Sequence, residues 1–510
     1  MLILGVLACT RADIPPPGAI GSGSLPSPTL EATSRLPQST TVATESVALP
    51  LPTETLIADQ PEPVVSPTFP ATPTSVRDET PEILLYEAKP GDTVRTVAIR
   101  FGVVPEEVES PESLPAGGGL IDPGQLLLIP SRLSDVGPAE LLIPDSELIF
   151  SPHATDFNVV DFVARQGGYL NDYREIVGSI WRTGAEVVEI VALNNSVNPR
   201  ILLALLEHQA GWVTDPTPAS GDAFNYPMGY IDRQHMGLYR QLTWLSNELG
   251  NGYYGWRAGT LTELRFSDGS GLRLAPDLNA ATVGLQYYYS LDRSLAGWEQ
   301  AILRGGFLDI YSALFGDPWS YEYVIYEPGV EQPEMILPFL PGRIWAFTGG
   351  PHGAWERESA WAALDFAPAA SETGCIVSED WVVAAAPGQV IRSENGTVVI
   401  DLDGDGRENS GWALLYLHVY KEGRIAEGEF VEQGDRLGHP SCEGGTATGT
   451  HVHIARKYNG EWILADGPLS FVLSGWQAKA GSRPYQGALV KDSEEVLACI
   501  CATQETLIWR

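Results

Sequence analysis

No apolar run in this 510-residue chain approaches the roughly 20 residues a bilayer-spanning helix needs, which excludes a polytopic membrane protein. Cations are scarce: 31 Lys and Arg stand against 65 Asp and Glu, a formal charge of −34. Phosphate binding needs clustered Lys and Arg, so nucleic acid is a poor partner. Aromatics all but vanish between residues 10 and 80, where Phe69 stands alone among 13 Pro and 20 Ser or Thr. Such a stretch cannot bury enough surface to offset its ordering entropy, and it reads as an extended linker or stalk. Elsewhere 14 Trp, 19 Tyr and a hydrophobic share of 44% supply real cores, enough for about three domains.

Cysteine is also sparse, with five in all. Val6-Leu7-Ala8-Cys9 ends a short apolar N-terminus and resembles a bacterial lipobox, in which the Cys is lipid-modified after cleavage. The resemblance implies residues 1–9 as a lipoprotein-type signal, Cys9 as the anchor and a cell-envelope location; the absent N-terminal Lys or Arg departs from the pattern. Cys375, Cys442, Cys499 and Cys501 remain, an even number. Cys375–Cys442 is the expected bridge, both lying in one predicted domain. Cys499 and Cys501, two apart in an extended segment, sit about 7 Å from each other, too far to bridge. Four free thiols are the alternative.

Residues 84–131 begin with a strand pattern that turns at Pro90-Gly91, followed by a helix on Val94, Val97, Ala98 and Phe101, with Asp92 or Thr93 as its cap. Asp122-Pro123-Gly124-Gln125 makes a turn before a closing strand, Leu126 to Ile129. Lys89-Pro90-Gly91-Asp92-Thr93, Arg100-Phe101-Gly102-Val103 and Pro123-Gly124-Gln125 resemble the LysM module. That implies a βααβ fold and binding to the N-acetylglucosamine glycan of peptidoglycan. By the same resemblance the sugar groove maps to Gly91, Asp92, Thr93 and Ile121.

Residues 155–320 carry helical periodicity: Arg200 to His208, Leu238 to Leu249 and Ala280 to Leu291, punctuated by Gly211, Gly229, Gly252 and Gly255. Val197-Asn198-Pro199 through Gly211 resembles the catalytic helix of lytic transglycosylases, and Asn279 through Tyr288 their later helix. The family's catalytic Glu position falls on Gln209, and an amide cannot act as the general acid. Glu207 lies about 200° away around the helix. The reading is a lysozyme-like domain that holds glycan without cleaving it; an unrelated helical spacer is the alternative.

Across residues 340–475 the period changes to two, which points to an antiparallel β domain. Five of the chain's eight His fall here: His352, His418, His439, His451 and His453. In Thr450-His451-Val452-His453 the two imidazoles project from one face of a strand, a spacing suited to a metal site. Gly350-Pro351-His352-Gly353, Leu364-Asp365-Phe366-Ala367-Pro368, Leu415-Tyr416-Leu417-His418 and Gly449-Thr450-His451-Val452-His453 follow in an order that resembles the lysostaphin-type zinc peptidases of peptidoglycan. The resemblance implies Zn²⁺ held by His352, Asp365 and His453, with His418 and His451 handling the water and the oxyanion. Twelve residues, Gly353 to Leu364, separate the first His from the Asp, where the family commonly has three. They read as a loop inserted in a hairpin, its Trp355, Glu356, Arg357 and Glu358 placed to shape the substrate entrance. No HExxH occurs, so no zinc-helix Glu is available as base. Asp401, Asp403 and Asp405 resemble a calcium loop but lack its twelfth-position Glu; an acidic turn is the alternative. Residues 476–510 read as an irregular tail.

The expectation is a multidomain α+β chain. It runs from signal (1–9) and linker (10–80) through a LysM-like module (84–131) and a helical lysozyme-like domain (155–320) to a zinc peptidase (340–475) and tail (476–510). It acts on the peptide bonds of peptidoglycan and meets a membrane only through a lipid anchor. The competing class is a non-catalytic wall-binding scaffold.

Overall fold

The computed structural model describes residues 82–510 apart from 218–219, 304, 356–359, 370–373 and 502. Cys9, the 10–80 linker and Glu356, Arg357 and Glu358 lie outside the described residues.

The N-terminal lobe pairs β1 (Ile83–Glu87) with β2 (Leu126–Pro130) in antiparallel register, with the helix Val94–Phe101 packed against them. Thr93 caps that helix by accepting from Thr96 N–H, and Gly102 ends it with φ +69°. The second helical turn is 3₁₀, Pro105–Glu107, since Pro105 starts a turn too short to propagate.

In the helical lobe, the helices Gly184–Asn195, Pro199–Ala210, Leu238–Arg257 and Ala280–Ser290 share one core. Two small hairpins decorate it, β3 (Arg174–Val177) with β4 (Ile180–Thr183), and β5 (Glu263–Arg265) with β6 (Gly271–Arg273). Gly252 and Gly255 do not punctuate the third helix but lie inside it. A Cβ on Gly252 would come within 2.8 Å of Gly284 Cα, so these glycines permit the close crossing with Ala280–Ser290.

The C-terminal lobe is built on one antiparallel sheet. Its strands are β7 (Ile344–Gly353), β8 (Trp361–Pro368), β10 (Gly388–Glu394), β11 (Thr397–Asp401), β12 (Trp412–Leu417), β13 (Phe430–Val431), β15 (Val452–Tyr458) and β21 (Leu507–Trp509), in the order β13-β10-β11-β12-β15-β8-β7-β21. A short β16 (Glu461–Trp462) folds back on β15, and β9 (Val382–Val383) pairs with β14 (Arg436–Gly438) beside the sheet. Period-two alternation gives the sheet two faces. Leu364, Phe366, Tyr416, Val452 and Ile454 fill a large core on one. Ala363, Leu415, Leu417 and Ala455 line the other, where Tyr254 of the helical lobe packs.

The presumed irregular tail is ordered. With β17 (Val472–Leu473), the strands β18 (Trp476–Ala480), β19 (Gly487–Lys491) and β20 (Glu494–Leu497) make a four-stranded sheet. Trp476, Ala478, Leu489 and Val496 enter the main core, and these short alternations are what hold the segment as strands. Cys499 and Cys501 also form a disulfide, contrary to the expectation for an extended segment. A turn at Ile500 and Cys501 brings their Cα atoms to 5.1 Å, within bridging range. Cys375 and Cys442 form the other disulfide.

The lobes are hydrogen-bonded to one another. Lys457 Nζ donates to Leu193 O, Trp462 Nε1 to Asn195 O, and Tyr253 Oη to Glu461. The N-terminal lobe docks on the long helix through Arg100 Nη2 to Trp256 O and on β6 through Arg273 Nη2 to Ile99 O.

Candidate metal centre

Strand register assembles the centre. His453 on β15 stands directly opposite Asp365 on β8, and both project to the face away from the large core. On the other side of Asp365, β7 presents Gly349, whose missing side chain matters: a Cβ there would lie 2.5 Å from Asp365 Oδ2. The β7–β8 register then shifts and brings His352 round to the same point. The twelve-residue separation is therefore spanned within one hairpin.

His352 Nε2 lies 3.0 Å from His453 Nδ1, 3.3 Å from Asp365 Oδ1, and Asp365 Oδ1 lies 3.2 Å from His453 Nδ1. The protons are placed by the outward contacts. His352 Nδ1–H donates to Gly350 O at 2.8 Å, and His453 Nε2–H donates to Ala354 O at 3.0 Å. Each inward nitrogen therefore carries a lone pair. Two nitrogen lone pairs and a carboxylate oxygen thus face one another, and Asp365 Oδ1 is buried without a hydrogen-bond partner. Three converging acceptors repel unless a cation lies between them. A tetrahedron with bonds of about 2.0 Å has edges of about 3.3 Å, the spacing seen here, and a His₂Asp donor set suits zinc with one position open.

Two further imidazoles border the group. His451 Nε2 is 3.7 Å from Asp365 Oδ1, and its Nδ1–H donates to Gly449 O. His418 Nδ1–H donates to Glu443 O, and its ring lies 4.4 Å from that of His451. Burial first, then His451 and His453, push His418 down to about 3, so it is neutral around pH 7. Its backbone is left-handed, φ +65°, a conformation costly for a residue with a Cβ.

Sequence reasoning missed Tyr485. Its ring stacks on His352 at 4.1 Å, held by Gly350 N–H to Tyr485 O and Tyr485 N–H to Pro351 O. It comes from the segment read as an irregular tail, and no local pattern marks it.

The four positions of the expected sugar groove are all buried. Asp92 is buried inside the N-terminal lobe, where it pairs with Arg100 and accepts from Tyr86 Oη and Lys89 N–H. Ile121 belongs to that lobe's core. Gly91 and Thr93 are buried too and border a cleft of about 320 Å³ shared with Tyr254, Arg257 and Glu461 of the other lobes. Docking of the lobe on the long helix turns this surface inward.

In the helical lobe Gln209 Oε1 accepts from Arg293 at 3.3 Å. Glu207 accepts from Val213 and Thr214 N–H, so it ties down the loop after its helix. Asp401 likewise spends both oxygens on its own turn, accepting from Asp403, Gly404 and Gly406 N–H.

Over 319 residues the chain is 24% identical to Protease LasA of Pseudomonas aeruginosa, an alignment covering 58% of this chain and 72% of that protein. The likeness is to a protease. Residues 141–328, the helical lobe, match the family model of the LasA N-terminal domain. Among solved structures, the deep-sea M23 metalloprotease pseudoalterin is 23% identical, covering 35% of this chain and 99% of that one with a TM-score of 0.29. The catalytic domain of lysostaphin from Staphylococcus simulans is 18% identical, covering 24% and 87% with a TM-score of 0.18. Among the described residues, no helix is long and apolar enough to cross a membrane.

Proposed function

We propose that the chain is a zinc endopeptidase that hydrolyses peptide bonds of bacterial peptidoglycan. The convergence of three acceptor atoms from His352, Asp365 and His453, with Asp365 Oδ1 otherwise unpartnered, carries this reading. His352, Asp365 and His453 would hold the zinc. When bound, it supplies a Lewis acid and lowers the pKa of water towards about 7.

The rest falls to the chain's own side chains. Gly449 O and Glu443 O fix the Nδ1 protons of His451 and His418, which leaves Nε2 of each as an acceptor. One of the two takes the proton of the attacking water and, so protonated, hydrogen-bonds to the oxyanion. His451, whose Nε2 lies 3.7 Å from Asp365 Oδ1, borders the ligand group directly and is the one placed to accept that proton. The stacked Tyr485 shields His352 from solvent.

Targeting belongs to the same reading. A lipid on Cys9 and the Pro-rich 10–80 stalk would let the enzyme reach from a membrane surface into the wall. The N-terminal lobe would meet glycan through the lobe-junction cleft rather than through Asp92 or Ile121. The helical lobe binds without cleaving, since Gln209 stands where an acid is required.

Purified peptidoglycan incubated with the chain is expected to yield new amino termini by mass spectrometry. A chelator should abolish them and added zinc restore them. Release that persists in a chelator would refute the metal mechanism, and no release with zinc present would refute the reading.

A further inference from the structure

We infer that the Cys375–Cys442 disulfide is a positioning device for His418 and His451 that the metal ligands do not need. The inference rests on the peptidase reading above. His352, Asp365 and His453 are placed by the β7–β8–β15 ladder, which stays intact whatever the neighbouring loops do. His418 and His451 are placed otherwise. His418 falls just past the end of β12, with its backbone in the left-handed region, and His451 just ahead of β15.

Both are held by the two loops the disulfide joins. On the Cys442 side, Ser441 donates to His418 O through both its N–H and its hydroxyl. Ser441 O accepts from His451 N–H, and Glu443 O fixes the His418 ring. On the Cys375 side, Gly374 O accepts from Thr450 N–H, and Ile376 N–H donates to Thr450 Oγ1, so the residue preceding His451 is held as well. The immediate neighbours of each half-cystine thus supply the bonds that set both imidazoles. The disulfide joins residues 67 positions apart in the chain and locks the two segments together. A strained backbone such as that of His418 persists only where its surroundings over-determine it. Opening the bridge frees two loops and lets both rings drift from the metal, whereas the strand-borne ligands stay put. A misplacement of about 1 Å is enough to cost about 10²-fold in rate.

The test uses the full chain loaded with zinc and a water-soluble phosphine, which reduces the bond without the chelating thiols of a dithiol. The S–S bond breaks, two Cys thiols form, and the phosphine takes oxygen from water to become the oxide. Reduction, and separately the Cys375→Ser/Cys442→Ser variant, should lower kcat about 10²-fold with KM little changed and one zinc per chain retained. Amide hydrogen exchange at Ser441, Thr450 and His451 should accelerate while that of Ile454 does not. Reoxidation should restore the rate, and Cys499→Ser/Cys501→Ser should leave it intact.

An unchanged kcat after reduction would overturn the inference. Zinc lost in step with activity would also overturn it, because the bridge would then support the metal site. If the oxidised chain cleaves no peptidoglycan, the peptidase reading fails by itself. Exchange at the three amides then still decides whether the bridge sets these loops, and unchanged protection would sink it.

Discussion

At the scale of single residues, two histidines two positions apart at one strand end have unlike surroundings. His453 turns Nδ1 to within 3.2 Å of Asp365 Oδ1 and anchors Nε2 on Ala354 O, whereas His451 anchors Nδ1 on Gly449 O and leaves Nε2 at 3.7 Å from the same carboxylate. His453→Ala should therefore lose both zinc and activity. His451→Ala should keep its zinc and lose about 10²–10⁴ in rate, the range for a general acid–base group. Metal content of the two purified variants separates the roles, and equal zinc loss would mean they are wrongly assigned. The pairing itself was legible, because an alternation of two needs only a strand to bring its imidazoles to one face. Gly349, Tyr485 and the carbonyls that orient the rings were not. Each acts through a neighbour distant in the chain, and nothing in its local sequence records that neighbour.

Secondary-structure elements tell a similar story of local pattern against tertiary demand. The helix starting at Leu238 was legible at its beginning and misjudged at its end. It runs through Gly252 to Arg257 because packing on Gly284 outweighs the intrinsic cost of glycine. The tail strands were missed because stretches of four or five residues give little periodicity to read. A charged cluster, equally invisible in sequence, joins sheet and helical lobe. Glu408 lies between Arg392 and Lys457, and those cations bond to Asn194 and to Leu193 O of the neighbouring lobe. Burial opposes ionisation of Glu408, but Arg392 and Lys457 outweigh it and depress its pKa. A depressed carboxylate contributes stability that is present above its unfolded value, about 4.3, and lost as pH falls through the lower folded value. Glu408→Gln should destabilise the chain by about 3–5 kcal/mol at pH 7, since it leaves the buried Lys457 and the half-buried Arg392 without a counter-charge. The wild type should lose that advantage below about pH 4, so the two melting curves should converge there. Thermal melts across pH check both statements.

For the whole molecule, the docking of the N-terminal lobe hinges on a very close approach. Gly91 has φ +85°, and a Cβ there would fall 2.3 Å from Arg257 Nη1. Gly91→Ala should loosen this lobe without harming the metal centre, measurable as faster proteolysis between residues 131 and 141 at unchanged zinc content. The division of labour among lobes makes another expectation. With its metal centre disabled by His453→Ala, the full chain should release no muropeptides with anhydro or reducing ends, because Gln209 cannot protonate a glycosidic oxygen. Chromatography of digested wall detects them, and their appearance would give the helical lobe a catalytic role. The three-part plan could be read from changes of composition and period along the chain. The mutual burial of the lobes could not, since it depends on complementary surfaces rather than on local pattern.

The span between the ligands has a consequence for when the metal arrives. His352 and His453 are 101 positions apart, and the strands that carry them meet only through the finished sheet. In an unfolded chain such a separation gives the donors a low effective concentration for one another, so the chelate exists only once the long-range pairing is made. Zinc therefore cannot nucleate folding here, as it does in small domains whose ligands lie close together in the chain. The metal enters only after the chain has folded, into a site the sheet has already built.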